Sequence, residues 1–301
     1  MRLRQLEYFL SVAKARSLTL AAAELGVAQP TLTKSIRALE DELGVKLFRR
    51  QPRGVDLTSY GESLLRHAQT LNVQLRDAIS ELRSLKDGMS GTVTIGAGPA
   101  WLRRHLPLAV ARTVKRNPAI RVRVDGAFDD VLFRALRRGE VDLVVAEIPS
   151  LETARDLKVI PLTSDRLRVA CRAGHPLTGL KRVTMRHLLE YPWSMPPLST
   201  HTTRRLQALF IAAHLPPPET TVETESMAFL IQTVLNSDVI TLTVASTLEM
   251  PEARNLRLLT VAGLTSRREA GIVLRKDGFL SPAAVAIVEE LKGICALEPT
   301  N

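Results

Sequence analysis

Residues 29–37 hold a run of side chains suited to the edges of nucleic-acid bases. Gln29, Thr31, Thr33, Lys34, Ser35 and Arg37 all fall in it. A Gln amide pairs with an adenine edge, a Lys ammonium with guanine, and hydroxyls with bases or phosphates. A second set lies just downstream. The stretch 46–53 holds four basic residues, Lys46, Arg49, Arg50 and Arg53, and no acid. Such cations neutralise phosphates. An ordinary helical bundle with a solvated basic face would show the same helical spacing, and the basic stretch weighs against it.

Catalytic patterns are absent from the sequence. It has no Gly-x-Ser-x-Gly elbow, no phosphate loop ending in Gly-Lys-Ser/Thr, and no His-Glu-x-x-His. The six histidines show no metal-ligand spacing. Cys171 and Cys295 are too few and too far apart for a disulfide framework or a zinc site. The expectation is a chain that is not an enzyme, with no metal and no cofactor. Net charge is 41 − 31 = +10, which favours a polyanionic partner or an anionic membrane surface. No apolar run approaches the roughly 18 residues that a spanning helix needs. Residues 1–7 lack the apolar core of a secretory signal. The expected compartment is a reducing cytoplasm, with no membrane partner.

The elements that would position the first set are helical. Leu6, Phe9, Leu10 and Ala13 repeat at helical spacing within 4–15. Ser17 is a suitable N-cap for a second helix over 18–25. Gly26-Val27 makes a tight turn into a third helix over 28–43, with Leu32, Ile36, Leu39 and Leu43 on one face. Pro30 fits only the first turn of that helix. This is helix-turn-helix spacing. Leu47-Phe48 and Val55–Leu57 read as two short strands around Pro52-Arg53-Gly54, a β-wing with Arg53 at its tip. Beyond Thr58, a candidate N-cap, Leu64, Ala68, Leu71, Leu75, Ala78, Leu82 and Leu85 form a heptad seam. The helix carrying it would be roughly 45 Å long. The seam packs either on its own chain or, as the length favours, on a partner copy.

Residues 1–60 resemble the winged helix-turn-helix of LysR-type transcriptional regulators. The matching residues are Leu3-x-x-Leu6-x-x-Phe9, Ser17-Leu18-Thr19-x-Ala21-Ala22-x-x-Leu25, Val27-Ala28-Gln29-Pro30-Thr31-Leu32-Thr33, Ile36-x-x-Leu39-Glu40-x-x-Leu43-Gly44, Leu47-Phe48-Arg49-Arg50 and Leu57-Thr58-x-x-Gly61. The resemblance puts Gln29, Pro30, Thr33, Lys34 and Arg37 at or near double-stranded DNA. Thr31, Arg49, Arg50 and Arg53 complete the candidate DNA-binding set. Ala28 stands where the family usually has Ser or Thr, a lost cap that costs about 1 kcal/mol. The family's linker helix pairs antiparallel with a partner's, which implies a dimer or tetramer on an inverted-repeat promoter site, with RNA polymerase as a candidate partner.

The remaining chain alternates. Strands over 92–96, 121–124 and 143–146 are interleaved with helices over 102–115 and 131–138, a βαβαβ rhythm that predicts a mainly parallel sheet. Further strands are expected from 157, over 167–171, 239–242 and 271–274. Helices are expected over 187–190, 203–213, 227–235 and 282–291. The pattern resembles the same family's effector domain, a two-lobed α/β fold of the type 2 periplasmic-binding-protein kind with crossover strands near 162–168 and 264–270. The matching turns are Arg138-Gly139-Glu140-Val141-Asp142-Leu143 and Ala173-Gly174-His175-Pro176-Leu177. The expected organisation is 1–58 winged helix-turn-helix, 59–88 linker helix and 89–301 effector domain. Its lobe I covers about 92–162 and 268–301, and its lobe II about 163–267. Lys86 to Gly91 is the expected hinge.

Open α/β sheets bind ligands at strand ends near helix N-termini. The resemblance implies a small anionic or polar effector between the lobes, touching Gly98, Pro99, Ala100, Ser199, Thr200, His201 and Thr202, with Glu147, Met227 and Val244 as further candidates. Pro99-Ala100 replace the family's Ser or Thr and remove a hydroxyl. Ser199 and Thr200 serve equally well as helix caps. Trp101 suits a core position. Glu147 would repel an anion unless paired or turned away. The implied function is a DNA-binding transcriptional regulator under small-molecule control. An α/β enzyme with a basic face, and a solute-binding transport protein, are the competing classes.

Overall fold

The computed structural model describes residues 2–52, 54–87, 90–150, 154–264 and 266–297. The chain divides into two compact units, residues 1–81 and 82–301.

The first unit opens with α1 (Leu3–Ala15), α2 (Leu18–Glu24) and α3 (Gln29–Leu43). Leu6, Phe9, Val12, Ala21, Ala22, Leu32, Ile36 and Leu39 are buried together. Leu43, expected on that face, is 41% exposed because it lies in the last turn of α3, next to the Gly44 cap. Ser17 caps α2 by accepting the Leu20 amide at 3.3 Å. Gly26 turns the chain at φ +65°, a conformation that side chains resist. Ala28 makes no side-chain cap, and Pro30 occupies the first turn of α3.

Next come β1 (Phe48–Gln51) and β2 (Gly54–Leu57), an antiparallel pair, and α4 (Ser59–Asp87). The wing is tied down at its base. The buried Glu40 carboxylate accepts from the amides of Leu47 (2.9 Å) and Phe48 (3.3 Å) and from Lys46 Nζ (2.9 Å). Burial alone would raise its pKa. The Lys46 hydrogen bond and the two amides outweigh that and hold it below the ordinary carboxylate value. Thr58 accepts the Gly61 amide at 3.1 Å, which caps α4. At Gly61 a Cβ would meet the Leu47 carbonyl oxygen at 2.2 Å, so the glycine lets α4 touch the wing backbone.

In the second unit the elements are β3 (Gly91–Ala97), α5 (His105–Arg116), β4 (Ile120–Gly126), α6 (Asp129–Arg137), β5 (Leu143–Glu147), β6 (Leu157–Arg172), β7 (Val183–Thr184) and α7 (Met185–Leu188). They continue as β8 (Trp193–Met195), α8 (His201–Ala212), β9 (Thr220–Glu223), α9 (Met227–Leu235), β10 (Thr241–Val244), β11 (Leu256–Leu259), β12 (Val261–Ala262), β13 (Ser266–Arg275) and α10 (Pro282–Ala296). A seven-stranded sheet runs β10-β6-β13-β5-β3-β4, with β11 also on β6. One lobe packs α5 and α10 on β3, β4 and β5 through Ile95, Leu106, Leu143, Ile287 and Leu291. The other buries Leu167, Val169, Trp193, Phe210 and Leu242.

Several sequence expectations change here. Within the seven-stranded sheet only β3 pairs parallel, with its neighbours β4 and β5, while β13 and β6 pair antiparallel throughout. The sheet is therefore mixed rather than mainly parallel. The βαβ rhythm reports neighbours in sequence and carries no signal for β6 and β13, which lie about a hundred residues apart. The two strands expected between 157 and 171 are one strand of 16 residues, roughly 50 Å long. Pro161 sits at a bulge opposite Ala270/Gly271, where a missing N–H is tolerated. α5 begins at His105 rather than at 102, after turns, and α7 begins two residues early, where Thr184 provides a capping box. The short strands β8, β9, β11 and β12 went unread because two to four residues show no resolvable alternation.

The Glu40 tie is testable. Glu40→Gln should destabilise the first unit by about 2 kcal/mol at neutral pH. The pKa is lower folded than unfolded, so the stabilisation is full above the unfolded value of 4.5 and fades as pH falls through the folded value. Denaturant melts of wild type and variant should converge in acid. A difference that persists undiminished at low pH would contradict the ionic tie.

Candidate functional site

Two regions qualify. In the first, helical geometry sets Gln29, Thr33 and Arg37 in one row and Pro30 and Lys34 beside it. Gln29, Pro30, Thr31, Lys34 and Arg37 are exposed, and Thr33 is half-buried. The opposite face of α3 is anchored by Leu32, Ile36 and Leu39, so Gln29 and Arg37 face solvent, while the Thr33 hydroxyl is buried without a hydrogen-bond partner. Among the described residues Lys34, Arg37 and Arg50 make no ion pair, and Arg49 only approaches Asp56, at 3.9 Å. Arg53 lies outside the described residues. The face can offer amide, hydroxyl and cationic groups to a polyanion.

The second region is the cleft between the lobes of the second unit. Three helices start near it. α8 begins at His201 with Thr200 as N-cap, α9 at Met227 with Ser226 as N-cap, and α6 at Asp129. Gly98, Pro99 and Ala100, Glu147 at the end of β5, Thr202, Met227 and Val244 all line a cavity of about 60 Å³. Ser199, Thr200 and His201 do not. Ser199 is exposed, and Thr200 is buried, accepting the Thr203 amide at 3.4 Å and donating to the Pro197 carbonyl at 2.8 Å. His201 turns toward Asp129 (4.0 Å) and Asp130 (3.5 Å). Trp101 is buried at the cavity wall.

Glu147 is paired, which removes the objection to an anion. Its Oε1 lies 2.6 Å from Arg205 Nη2 on α8, and its Oε2 lies 3.8 Å from Arg268 Nη1 on β13. Arg268 in turn donates to Asp165 from Nε (2.5 Å) and Nη2 (2.9 Å). Burial works against that guanidinium's charge, and Asp165 and Glu147 more than restore it. Arg204 reaches Asp130 at 3.2 Å. Pairs between α6 or β5 on one side and α8 on the other therefore hold the lobes together. Burial pushes Asp129 up to about 7, and the neighbouring Glu147 charge pushes the same way. Burial lowers the pKa of His201, against the pull of Glu147 and Asp130.

Reading the sequence missed Arg205, Arg268, Asp129 and Arg103, all of which belong to the cleft or its wall. The first two come from a helix interior and a distant strand, where a lone Arg carries no signal. The Asp129-Asp130 pair ahead of an amphipathic helix was legible as a helix start.

Asp129 gives a pH prediction. Its pKa is higher folded than unfolded, so between about 4 and about 7 the folded state holds the extra proton. Its contribution to stability is present in acid and is lost as pH rises across that window. Asp129→Asn should flatten the fall in melting temperature from pH 4 to 7. An unchanged profile would refute the assignment.

Comparison with known proteins covers both parts of the chain. Residues 3–62 match the model "Bacterial regulatory helix-turn-helix protein, lysR family", and residues 86–296 match "LysR substrate binding domain". The regulator GbpR of Azospirillum brasilense is 31% identical over 97% of this chain and 86% of its own. The SDS degradation transcriptional activation protein of a Pseudomonas species is 36% identical over 95% of this chain and 94% of its own. The crystal structure of full-length CbnR with its target DNA superposes with a TM-score of 0.62 at 20% identity, over 97% of this chain and 99% of that one, a likeness of fold. No helix among the described residues is long and apolar enough to cross a membrane. The chain belongs to the LysR family of transcriptional regulators, a family of DNA-binding regulators with an effector-binding domain and not of enzymes.

Proposed function

We propose that this regulator reads an inverted-repeat promoter site as a dimer or tetramer and answers to a small anionic or polar metabolite held between its lobes. Residues 1–58 read DNA, 59–88 pair the protomers and 89–301 bind the effector. Gln29, Thr31, Thr33, Lys34 and Arg37 meet bases and adjacent phosphates, and Pro30 opens the helix against the groove. Arg49, Arg50 and Arg53 neutralise phosphates from the wing. RNA polymerase is the further partner and the cytoplasm the compartment.

Support for pairing comes from α4. The early seam positions Leu64 and Ala68 pack against the first unit's own core. Further along, Leu71 is 46%, Leu82 67% and Leu85 79% exposed. Apolar side chains at that spacing are costly in water and favour a partner helix. A chain of residues 1–88 should sediment as a dimer, and a strict monomer at tens of micromolar would count against the seam.

The observation that carries the effector reading is the ionic closure of the cleft. A cavity of about 60 Å³ is too small for a metabolite, whose pockets typically exceed about 300 Å³. Entry must part the lobes and compete for the groups that clamp them. Arg205 Nη1 and both Glu147 oxygens are buried without a well-aligned hydrogen bond, so the clamp leaves polar capacity for a ligand. A carboxylate on the effector replaces Glu147 as partner of Arg205 or Arg268. Gly98, Pro99 and Ala100 bring backbone close, and Thr202, Met227 and Val244 close the far wall. Thr200 holds the start of α8 as its cap, and His201 faces Asp129 and Asp130 across the cleft.

Selection of bound duplexes from a random pool at about 150 mM salt tests the DNA reading, because that salt suppresses non-specific phosphate binding. An enriched inverted repeat is expected. No enrichment from folded, dimeric protein, with or without metabolite pools added, would sink it. On the selected site, Gln29→Ala should cost about 1–3 kcal/mol and relax preference at one base pair. Arg50→Ala should weaken all sequences alike and reduce the salt slope by about one. For the cleft, Thr202→Val should blunt the effector response with DNA binding intact. Thr200→Val should instead lower the melting temperature, because it removes a cap worth about 1 kcal/mol.

A further inference from the structure

A groove of about 640 Å³ opens between the segment 177–183 and the strand β11. It shares no lining residue with the cleft. The groove exists because two strands part. β7 and β12 pair in parallel, with Val183 opposite Val261 and Thr184 opposite Ala262. Continued backward, that register would set Arg182 beside Thr260 and Lys181 beside Leu259. The pairing stops instead, and all four of those residues line the groove. Among the described strands, β11 pairs with β6 alone. Residues 257–260 line the groove one after another. Successive side chains of a strand point to opposite faces, so a space that meets each residue in turn lies along the backbone edge. An unpaired edge is a template for a further strand.

The charge along this edge is of one sign. Lys181, Arg182 and Arg257 line the groove, and among the described residues no carboxylate does. All three are exposed, and among the described residues none makes an ion pair. Arg257 Nη1 donates to the carbonyls of Leu256 (3.0 Å) and Arg254 (3.4 Å), which holds the guanidinium along the strand's own backbone. Cations on an edge keep neutral and apolar strands from adding to it. The same cations favour a strand that brings carboxylates. Beneath them the floor is apolar, with Leu177, Val183 and Leu259 buried.

We propose that this groove docks an extended acidic segment of a partner protein, which adds to β11 as a strand. Carboxylates at alternate positions meet Lys181, Arg182 and Arg257, and the apolar residues between them rest on Leu177, Val183 and Leu259. Main-chain hydrogen bonds supply affinity, and the alternation supplies specificity. Four residues of edge span roughly 13 Å, so a segment of about five to seven residues fills the site. The surface shares no residue with the DNA-reading face or the cleft, so its failure leaves both readings untouched.

Fluorescence anisotropy of the full-length protein with a labelled, end-blocked Glu-Val-Glu-Leu-Glu-Val-Glu peptide tests it, at about 150 mM salt to suppress non-specific ion pairing. The peptide should bind at least about tenfold more tightly than Glu-Pro-Glu-Pro-Glu-Pro-Glu, which keeps the charge but cannot pair as a strand. Arg182→Glu and Arg257→Glu should each weaken binding about tenfold or more, and Arg50→Ala should leave it unchanged. Melting temperatures establish that the variants are folded, and Arg182→Glu decides the matter if Arg257→Glu is not. Equal binding of the proline peptide would reduce the groove to a general anion surface and overturn the strand. Loss in Arg50→Ala with retention in Arg182→Glu would move the peptide to the wing and overturn the site. Inorganic triphosphate that binds through Arg182 where the peptide does not would assign the groove to a small polyanion instead. No peptide binding at about 1 mM would also overturn the proposal.

Discussion

The effector-binding unit depends on one strand pair. β6 and β13 run antiparallel from Leu157/Arg275 to Leu167/Ser266 and pass through both lobes. Each lobe completes its sheet on this pair, β5 against β13 on one side and β10 and β11 against β6 on the other. Two backbone segments are therefore the covalent and hydrogen-bonded hinge. Arg268 and Asp165 are directly opposed in its register, so their side chains meet on one face. The bulge at Ala270/Gly271 lies next to this pair, and a Cβ at Gly271 would strike the Ile160 carbonyl oxygen at 2.2 Å. The close approach of the two strands thus needs a glycine where the hinge leaves the charged segment.

On that hinge sits an electrostatic problem that only another lobe or a ligand can solve. Glu147 and Asp129 are buried together, and the Glu147 charge adds to burial in raising the cost of ionising Asp129. Arg268 supplies one compensating charge from the hinge itself, and Arg205 supplies another from α8. Buried pairs of this kind contribute little net stability compared with apolar packing. They do make the closed state conditional on charge. A group that enters with its own charge changes that balance by replacement, which couples occupancy to lobe geometry.

Much of the N-terminal unit was legible because its information is local. Ser17, Gly26, Pro30 and Gly44 punctuate helices within a few residues of where they act. Leu32, Ile36 and Leu39 repeat at helical spacing, which fixes the polar face of α3 by exclusion. Leu43 escaped the pattern only at the end of the helix. The cleft was half legible. The segments at 98–100, 147, 202, 227 and 244 are strand ends and helix starts, which sequence rhythm can place. The cations that neutralise Glu147 were not. Arg205 looks like any charge on an amphipathic helix, and Arg268 like one of three arginines in a strand. What they face is set by pairing between distant strands, which no local window contains. The same non-locality hid the antiparallel direction of β6 and β13.

Glu40 shows how a residue inside a legible motif can carry an unread role. It falls on the inner side of α3, three residues before the last turn ends, and a carboxylate there looks misplaced. Its partners are the two amides that begin the wing, so it converts the position of α3 into the position of β1. The missing side-chain cap at Ala28 loosens the start of α3, while Glu40 secures its far end against Lys46, Leu47 and Phe48. A helix and a wing that must meet one polyanion together need a fixed spacing between them. A buried ion–amide contact supplies that spacing better than apolar packing, because its geometry is directional and an apolar contact can slide.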